Sequence, residues 1–387
     1  MVSSPQKNKK VKEKITVSTT RPPLPTKPNK QITPATINSP KPSKPIDKQH
    51  KVLPITNANP LPVNVYNPGS ENLTNYQVLI EGAFDFDFDK NKLGISDADD
   101  NKLHYWIEEW DTDSKKAKIW VKIPKLKTNE TKTIYMGFDQ GQDLNGGNAT
   151  FDFFDDFTLS DLDSEKWLKD VSSNYDETLT LDIGNSVLKI NTAADNGTLK
   201  GSHALVKSFD KFAPNMAMRI KERDSGSSWY PGNFGFGQYH PVPSSALIKG
   251  TYTHEKYGFF TFNNSFGSLR TDKSNYYTEP NYGSPPYPLD EWTYDDKWHT
   301  FDILWQNSSA KFLKDGSILA ENTKQSEIPA ASLPIALGDL GQWGVYSNSE
   351  TNIDWVLVRK YVSPEPIVTI VVSNNSINPS PIPASDQ

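Results

Sequence analysis

The feature that most constrains this chain is a series of short apolar runs that alternate with polar residues and stop at turn signals. In the run 118–124, Ile119, Val121 and Ile123 fall on one face, two lysines fall on the other, and a proline ends the run. A period of two residues is typical of a half-buried antiparallel strand. Between residues 52 and 148 no stretch keeps a helical period for ten residues. The pattern therefore predicts an all-β chain.

Composition divides the chain into four segments. Residues 1–51 contain nine prolines and no aromatic residue, so they cannot bury enough apolar surface to offset the entropy of ordering. We predict a disordered Lys/Pro-rich arm there. Residues 52–148 predict a small β-sandwich, residues 149–365 a longer jelly-roll sandwich with many short strands, and residues 366–387 a C-terminal tail.

Charge is distributed unevenly between the arm and the rest. Residues 1–50 carry eleven basic and two acidic side chains, a net of +9, while the whole chain is −6, so the remainder is −15. An acidic body argues against a globular domain that binds a specific nucleic acid. Three roles stay open for the arm: a solvated spacer, contact with neighbouring subunits of a larger assembly, or contact with a polyanion. Contact with neighbouring subunits implies a homo-oligomer.

Several classes of site lack their usual residues. The chain has no cysteine, and its six histidines form no HExxH or HxH pair, so neither a disulfide framework nor a histidine zinc site is expected. The N-terminal residues lack the apolar stretch of a secretory signal, and no apolar run is long enough to span a bilayer. We therefore expect no transmembrane segment.

Two regions resemble known families. Residues 60–150 resemble an uncharacterised β-sandwich domain of archaeal and bacterial surface proteins, through segments at 75–78, 103–108, 119–124, 131–136 and 149–157. The second region is similar to the laminin-G and concanavalin-like group, through 298–305, the hairpin at Asp315-Gly316 and 353–361. The resemblance implies two antiparallel β-sandwich (jelly-roll) domains in tandem, the second lectin-like.

The same fold also hosts laminarinase-type glycoside hydrolases, which place two carboxyl groups on one strand as Glu-x-Asp-x-x-Glu. The nearest approach here is Glu222 and Asp224, with Ser227 in place of the last glutamate and Arg223 between them. Glu108 and Glu109 are adjacent and should point to opposite faces of a strand. We therefore predict no catalytic residues and a protein that is not an enzyme.

Binding of surface glycans is better motivated by the aromatic residues. Tyrosines and tryptophans between 229 and 294 are interleaved with Gly, Pro, Asn and Ser, and flat rings with polar edges suit stacking on sugars. The alternative, which stays open, is that these segments pack on their own sandwich or on a neighbouring subunit. The predicted glycan-binding residues flank a strand near 234–238 and are Trp229, Tyr230, Gln238, Tyr239 and His240.

A structural calcium ion is a further hypothesis, and no other cofactor is predicted. In similar sandwiches a cation bridges the N-terminal and C-terminal strands, and Asp155 or Asp156 with Asp354 occupy those positions. Charged strand ends that face water explain the same residues equally well.

These observations favour a surface-displayed structural and attachment protein, located on a virion as a spike or turret component with a glycan-binding domain. The alternative is an extracellular cell-envelope adhesin, and a secreted glycoside hydrolase is the third hypothesis.

Overall fold

The structure, a computed structural model, describes residues 60–84, 90–138, 144–172, 179–192, 203–226, 233–237, 251–252, 259–261, 268–270, 277–278, 296–323, 325, 328, 330–340 and 349–371. The predicted arm at 1–51 lies outside these residues. In the described part of the chain, no helix is long and apolar enough to cross a bilayer.

The first six strands form the N-terminal part of the fold. They are β1 (Leu61–Tyr66), β2 (Leu73–Ala83), β3 (Leu93–Asp97), β4 (Tyr105–Asp111), β5 (Lys116–Leu126) and β6 (Thr131–Phe138), with a 3-10 turn at Lys90–Lys92 before β3.

The second part follows a short helix, α1 (Gly147–Thr150). Its strands are β7 (Phe153–Asp155), β8 (Trp167–Ser172), β9 (Leu179–Ile183), β10 (Leu188–Thr192), β11 (His203–Ser208), β12 (Met216–Gly226), β13 (Asn233–Phe236), β14 (Thr251–Tyr252), β15 (Phe259–Thr261), β16 (Ser268–Arg270), β17 (Tyr277–Thr278), β18 (His299–Trp305), β19 (Ala310–Lys314), β20 (Ser317–Asn322), β21 (Ile335–Leu340) and β22 (Ser349–Lys360). The last described strand is β23 (Ile367–Ile370).

The first sandwich consists of two facing antiparallel sheets. Sheet A has the strand order β23-β1-β6-β3 and sheet B the order β2-β5-β4. The predicted strand at 118–124 lies within β5, and its residues Ile119, Val121 and Ile123 are fully buried. Both sheets supply the core between them, which includes Val63, Val65, Tyr76, Val78, Ile80, Ile119, Val121, Ile123, Ile134 and Met136. The alternation of apolar and polar residues therefore gives each sheet one apolar face, and the two apolar faces pack against each other.

Strand β23 returns from the far end of the chain to complete the first sandwich. It pairs antiparallel with β1, and Ile370 lies opposite Val63. A Cβ at Gly82 of β2 would lie 2.9 Å from Cδ1 of Ile370, so β23 packs closely against the facing sheet. The segment predicted as a tail from residue 366 thus begins with a strand, because its apolar residues find a partner in β1. The second sandwich is inserted between β6 and β23.

The second sandwich also consists of two sheets. Sheet C has the order β20-β19-β18-β12-β22-β10-β9, with β7 beside the C-terminal half of β22, and sheet D has the order β16-β15-β13-β21-β11-β8. Strands β14 and β17 pair with each other. The enclosed core includes Leu188, Ile190, Val206, Met218, Ile220, Phe234, Phe236, Ile303, Trp305, Phe312, Ile335, Leu337, Val356 and Val358. The predicted all-β sandwich architecture is confirmed.

Two hairpins show how the turns set the register. Asp315 and Gly316 both have positive φ, 48° and 77°, between β19 and β20, as the Asp-Gly turn predicts. Between β9 and β10 the sequence Gly184-Asn185 predicts a tight turn, and in the structure that turn lies one residue later. Gly184 exchanges two backbone hydrogen bonds with Val187, so the positive-φ pair is Asn185 and its successor.

The outer face of sheet B packs against the outer face of sheet C. Trp120 lies on the face of β5 that alternation assigns to solvent, yet it is buried because the second sandwich covers it. The Trp106 and Trp355 rings meet edge to face at 5.2 Å between centroids, and Trp106 also meets Phe154 at 5.0 Å. Edge-to-face aromatic packing of this kind stabilises the junction beyond the apolar area that it buries.

Candidate functional site

Small residues occupy neighbouring positions on the outer face at the centre of sheet D. Phe234 and Phe236 of β13 point into the core, so the alternating position Gly235 belongs to the opposite face. In the neighbouring strand β21, Ala336 lies in register with Gly235, and Gly338 follows two residues later. Gly235, Ala336 and Gly338 are buried. Glycine within a strand is typical of places where another backbone or a ligand approaches closely.

The predicted glycan-binding residues adjoin this strand in the sequence. Trp229 and Tyr230 precede β13, and Gln238, Tyr239 and His240 follow it. All five lie outside the described residues. Their glycan-binding role stays a prediction, and what the structure adds is the central place of β13 in sheet D, between β15 and β21.

The structure gives separate partners to the three predicted calcium ligands. Asp155 accepts hydrogen bonds from the backbone N–H of Phe157 at 2.9 Å and from Nε1 of Trp167 at 2.6 Å. Asp156 accepts one from the hydroxyl of Thr158. In the described part of the chain, no group of three or more acidic or histidine side chains is placed to hold a metal ion. Calcium binding stays a prediction.

Asp354 has a different partner from Asp155 and Asp156. It is the extra residue of β22 at a bulge, between the positions that pair with Lys221 and Glu222 of β12. Its carboxylate forms an ion pair with Nζ of Lys221 at 2.7 Å. An additional residue in one strand re-aims its side chain, which explains why this aspartate meets a lysine of the adjacent strand.

Glu222 and Asp224, the two carboxylates compared with the hydrolase pattern, lie within β12. Glu222 is buried and stands in register with His299 of β18. The guanidinium of Arg223 lies over the ring of Trp298, 5.0 Å from its centroid. Because adjacent strand residues point to opposite faces, Arg223 is not the neighbouring counter-charge that the sequence order suggested.

The prediction that Glu108 and Glu109 point to opposite faces is wrong. Glu108 is the extra residue at a bulge of β4, so both carboxylates lie on the outer face of sheet B. Glu108 is buried and pairs with Arg219, whereas Glu109 is partly exposed and pairs with Nζ of Lys118 at 2.8 Å.

A buried charge cluster, which the sequence did not indicate, joins the two sandwiches. Nη1 of Arg219 on β12 donates to both carboxylate oxygens of Asp302 at 3.2 and 3.0 Å, and Nη2 donates to Glu108 at 2.9 Å. The indole N–H of Trp120 donates to the other oxygen of Glu108 at 2.7 Å. The three charged side chains are each less than a tenth exposed. We call Arg219, Asp302 and Glu108 the junction cluster.

A second arginine lies at the same junction. Nη1 of Arg359 donates to Glu365 at 2.6 Å, and the hydroxyl of Tyr76 donates to the same oxygen at 3.0 Å. The guanidinium carbon of Arg359 lies 4.9 Å from the centroid of the Trp120 ring. These contacts also connect β22 with the first sandwich.

Burial and charge act in opposite directions within the cluster. Burial lowers the pKa of Arg219, but the carboxylates of Asp302 and Glu108 raise it more, so the pKa lies above its ordinary value. Burial raises the pKa of Asp302, and the positive charges of Arg219 and Arg359 oppose this rise. Burial likewise raises the pKa of the Tyr76 phenol, which therefore stays a neutral donor. The ion pairs are stable only as long as all partners are present.

Comparison with known proteins identifies part of the first sandwich. Residues 89–172 match DUF2341, a domain of unknown function. The match runs from the first sandwich through α1 and β7 to the end of β8, so it includes the segment that connects the two sandwiches. The resemblance to an uncharacterised domain is confirmed to this extent, and its association with archaeal and bacterial surface proteins stays a prediction. No curated protein matches the chain.

Several solved structures are similar to about half of this chain. A laminarinase from Flavobacterium sp. UMI-01 is 13% identical, with a TM-score of 0.39, covering 54% of this chain and 100% of its own. A β-glucanase from Bacillus licheniformis is 15% identical, with a TM-score of 0.38, covering 54% and 97%. The carbohydrate recognition domain of Emp47p is 13% identical, with a TM-score of 0.36, covering 54% and 94%. At these identities the likeness shows the fold alone.

The prediction that the protein is not an enzyme is contradicted. The similar structures include proteins named as glucanases, a laminarinase, O-glycanases and a glycosyl hydrolase. The reasoning was wrong because Ser227, in place of a third carboxylate, excludes one residue pattern only. It does not exclude catalysis in a fold that hydrolases share.

Proposed function

We propose that the second sandwich binds a glycan on the outer face of sheet D, around β13. The sugar rings stack on the aromatic residues next to both ends of β13. The hydroxyl groups of the sugar bind the amide and imidazole groups beside these aromatic residues.

One observation carries this proposal. At the centre of sheet D, Gly235 of β13 stands beside Ala336 of β21, so at this pair of positions no side chain is larger than a methyl group, and Phe259 of β15 is in register with Gly235 on its other side. A flat sugar ring needs such close approach to the backbone. The residues predicted for stacking are only a few positions away along the chain.

Binding is tested with the full chain on a glycan array. A Trp229→Ala/Tyr230→Ala variant should lose the signal that the wild-type chain gives. Phe209→Ala is the matched control, because Phe209 is an aromatic residue of the same sandwich that is 55% exposed, and it should bind normally. A blank array with the wild-type chain, or equal loss in the control, contradicts the proposal. Any glycan that binds is also checked for cleavage products.

The proposal includes display of this domain on a surface through the basic arm. The support is the charge difference, +9 in residues 1–50 against −15 in the remainder, which favours docking of the arm on acidic surfaces of neighbouring subunits. On this proposal the chain is a virion spike or turret component, and a cell-envelope adhesin is the alternative. Sedimentation tests the contact: the full chain should form a homo-oligomer and the chain without residues 1–50 a smaller species, whereas equal masses contradict it.

A further inference from the structure

The outer face of sheet A consists entirely of uncharged residues. In its strands β23, β1, β6 and β3, the positions that alternate with the core positions carry Thr, Tyr, Asn, Ser, Pro, Gly and Ile, although 23% of the chain is charged. The two charged residues of these strands are Asp97 and Lys132. They lie in register with the core residues Ile134 and Val65, so they belong to the inner positions. We call the outer positions the sheet A face.

Water reaches every position of the sheet A face. The described part of the chain buries none of these residues, and Thr131, Ile367 and Thr369 are exposed, Ile367 by 54%. The other face of the same sandwich differs in both respects, because the outer face of sheet B carries Glu109 and Lys118 and packs on the second sandwich. A ligand can therefore lie on the sheet A face without entering a cavity.

Two tyrosines lie diagonally across the sheet A face. Tyr135 of β6 is in register with Pro62 of β1, and Tyr66 follows four residues later on β1. With about 3.3 Å per residue and about 4.8 Å between strands, the two side chains begin about 14 Å apart. Asn64 and Thr133, which are in register between them, have short side chains. Two rings separated in this way suit a ligand that is longer than one sugar ring.

The polar groups between the tyrosines are an amide and two hydroxyl groups. Asn64 of β1 is in register with Thr133 of β6 on one side and with Thr369 of β23 on the other. The hydroxyl of Thr133 donates to Oδ1 of Asn64 at 2.8 Å, which orients the amide, and its Nδ2 carries two N–H donors. Neutral donors and acceptors of this kind match sugar hydroxyl groups, whereas a carboxylate or sulfate would find no cation on this face.

The area of the face argues against a second protein as the occupant. Four strands of about six residues each cover roughly 400 Å². A stable protein–protein interface buries about 800 Å² on each partner. The sheet A face alone is therefore too small for a stable dimer, but it is larger than a single sugar ring.

We propose that the sheet A face binds a neutral oligosaccharide chain. Two sugar rings of the chain stack on Tyr66 and Tyr135. Hydroxyl groups of the sugars between them form hydrogen bonds with the row Thr133, Asn64 and Thr369. The first sandwich is then a second binding module, independent of the glycan site proposed on sheet D.

Isothermal titration calorimetry tests the proposal. The full chain with Trp229→Ala/Tyr230→Ala is used, so that the site proposed on sheet D does not contribute. The probes are neutral hexasaccharides of glucose, of N-acetylglucosamine and of mannose; glucose and a hexasaccharide of galacturonic acid are the references. At least one neutral hexasaccharide should bind about tenfold more tightly than both references. Added salt should not weaken this binding, because no charged group takes part.

Variants of the face locate the binding. Tyr135→Ala should weaken it about tenfold, whereas Tyr135→Phe, which keeps the ring, should retain it. Thr369→Lys places a long charged side chain on the face at an exposed position, so the chain should fold normally and bind weakly. Thr112→Lys, at an exposed threonine of the turn between β4 and β5, is the matched control and should bind like its parent. Circular dichroism checks that each variant is folded.

Three results overturn the proposal. One is that none of the neutral hexasaccharides binds, and another is that the galacturonic acid hexasaccharide binds as tightly as they do. The third is that Thr369→Lys binds as well as Thr112→Lys. If no hexasaccharide binds and Thr369→Lys lowers the mass found by sedimentation, the face is a contact between two copies of the chain. Because the sheet D residues are already replaced, these outcomes do not depend on the glycan site proposed there.

Discussion

Replacing Arg219 by methionine should reveal how strongly the junction cluster couples the two sandwiches. The substitution keeps the apolar stem but leaves the carboxylates of Asp302 and Glu108 without their shared counter-charge. Both carboxylate side chains are 4% exposed, so water cannot replace the guanidinium. Removing one partner of a buried ion pair costs about 3–5 kcal/mol, a large part of the roughly 5–15 kcal/mol that stabilises a typical domain.

Urea unfolding at pH 7, followed by circular dichroism and tryptophan fluorescence, measures this loss. Lys118→Met is the matched control, because Lys118 pairs with Glu109 at 2.8 Å but is 28% exposed, and such surface pairs contribute at most about 1 kcal/mol. A double-mutant cycle of Arg219→Met with Glu108→Gln should give a coupling energy of about 0.5–3 kcal/mol. If Arg219→Met costs no more than the control, the cluster is not the connection that its geometry indicates.

Three further results are expected. Gly147→Ala should destabilise by about 1–3 kcal/mol in thermal unfolding, because the new Cβ would overlap the ring of Phe154, whereas Gly146→Ala, with open space around it, should change little. Partial burial raises the pKa of Asp315, but hydrogen bonds from β18 hold this pKa below its ordinary value. The stability that Asp315 contributes is therefore present above about pH 3.9 and is lost as the pH falls through the lower folded-state pKa. In acid unfolding, the stability of Asp315→Asn should depend less on pH than that of the wild type, and an unchanged profile would contradict this. Deleting β23 should expose the edge of sheet A and lower the denaturation midpoint, while removing residues 372–387 alone should not.

Local patterns predicted the strands and one turn well. Strand β18 lies within the segment 298–305 that the sequence singled out, because Phe301, Ile303 and Trp305 alternate toward the core of the second sandwich. The Asp315-Gly316 turn is also as predicted, since its positive φ values need those residue types. The shifted turn after β9 was missed because register there depends on the pairing of Gly184 with Val187, which no local signal specifies.

Pairing between distant segments could not be predicted in the same way. Strand β23 consists of four residues, and its partner β1 lies at the other end of the folded region, so a sequence pattern gave no reason to connect them. The uncharged outer face of sheet A is likewise invisible in the sequence, because its members come from four strands that meet only in that sheet.

The sequence by itself determined the all-β class, since the two-residue period decides which side chains can be buried together. Only the tertiary structure decided which outer faces meet water. Trp120 and Arg219 occupy positions that alternation assigns to solvent, and both are buried because one sandwich packs on the other. Burial there depends on contacts between separate sheets, and periodicity within one strand carries no information about them.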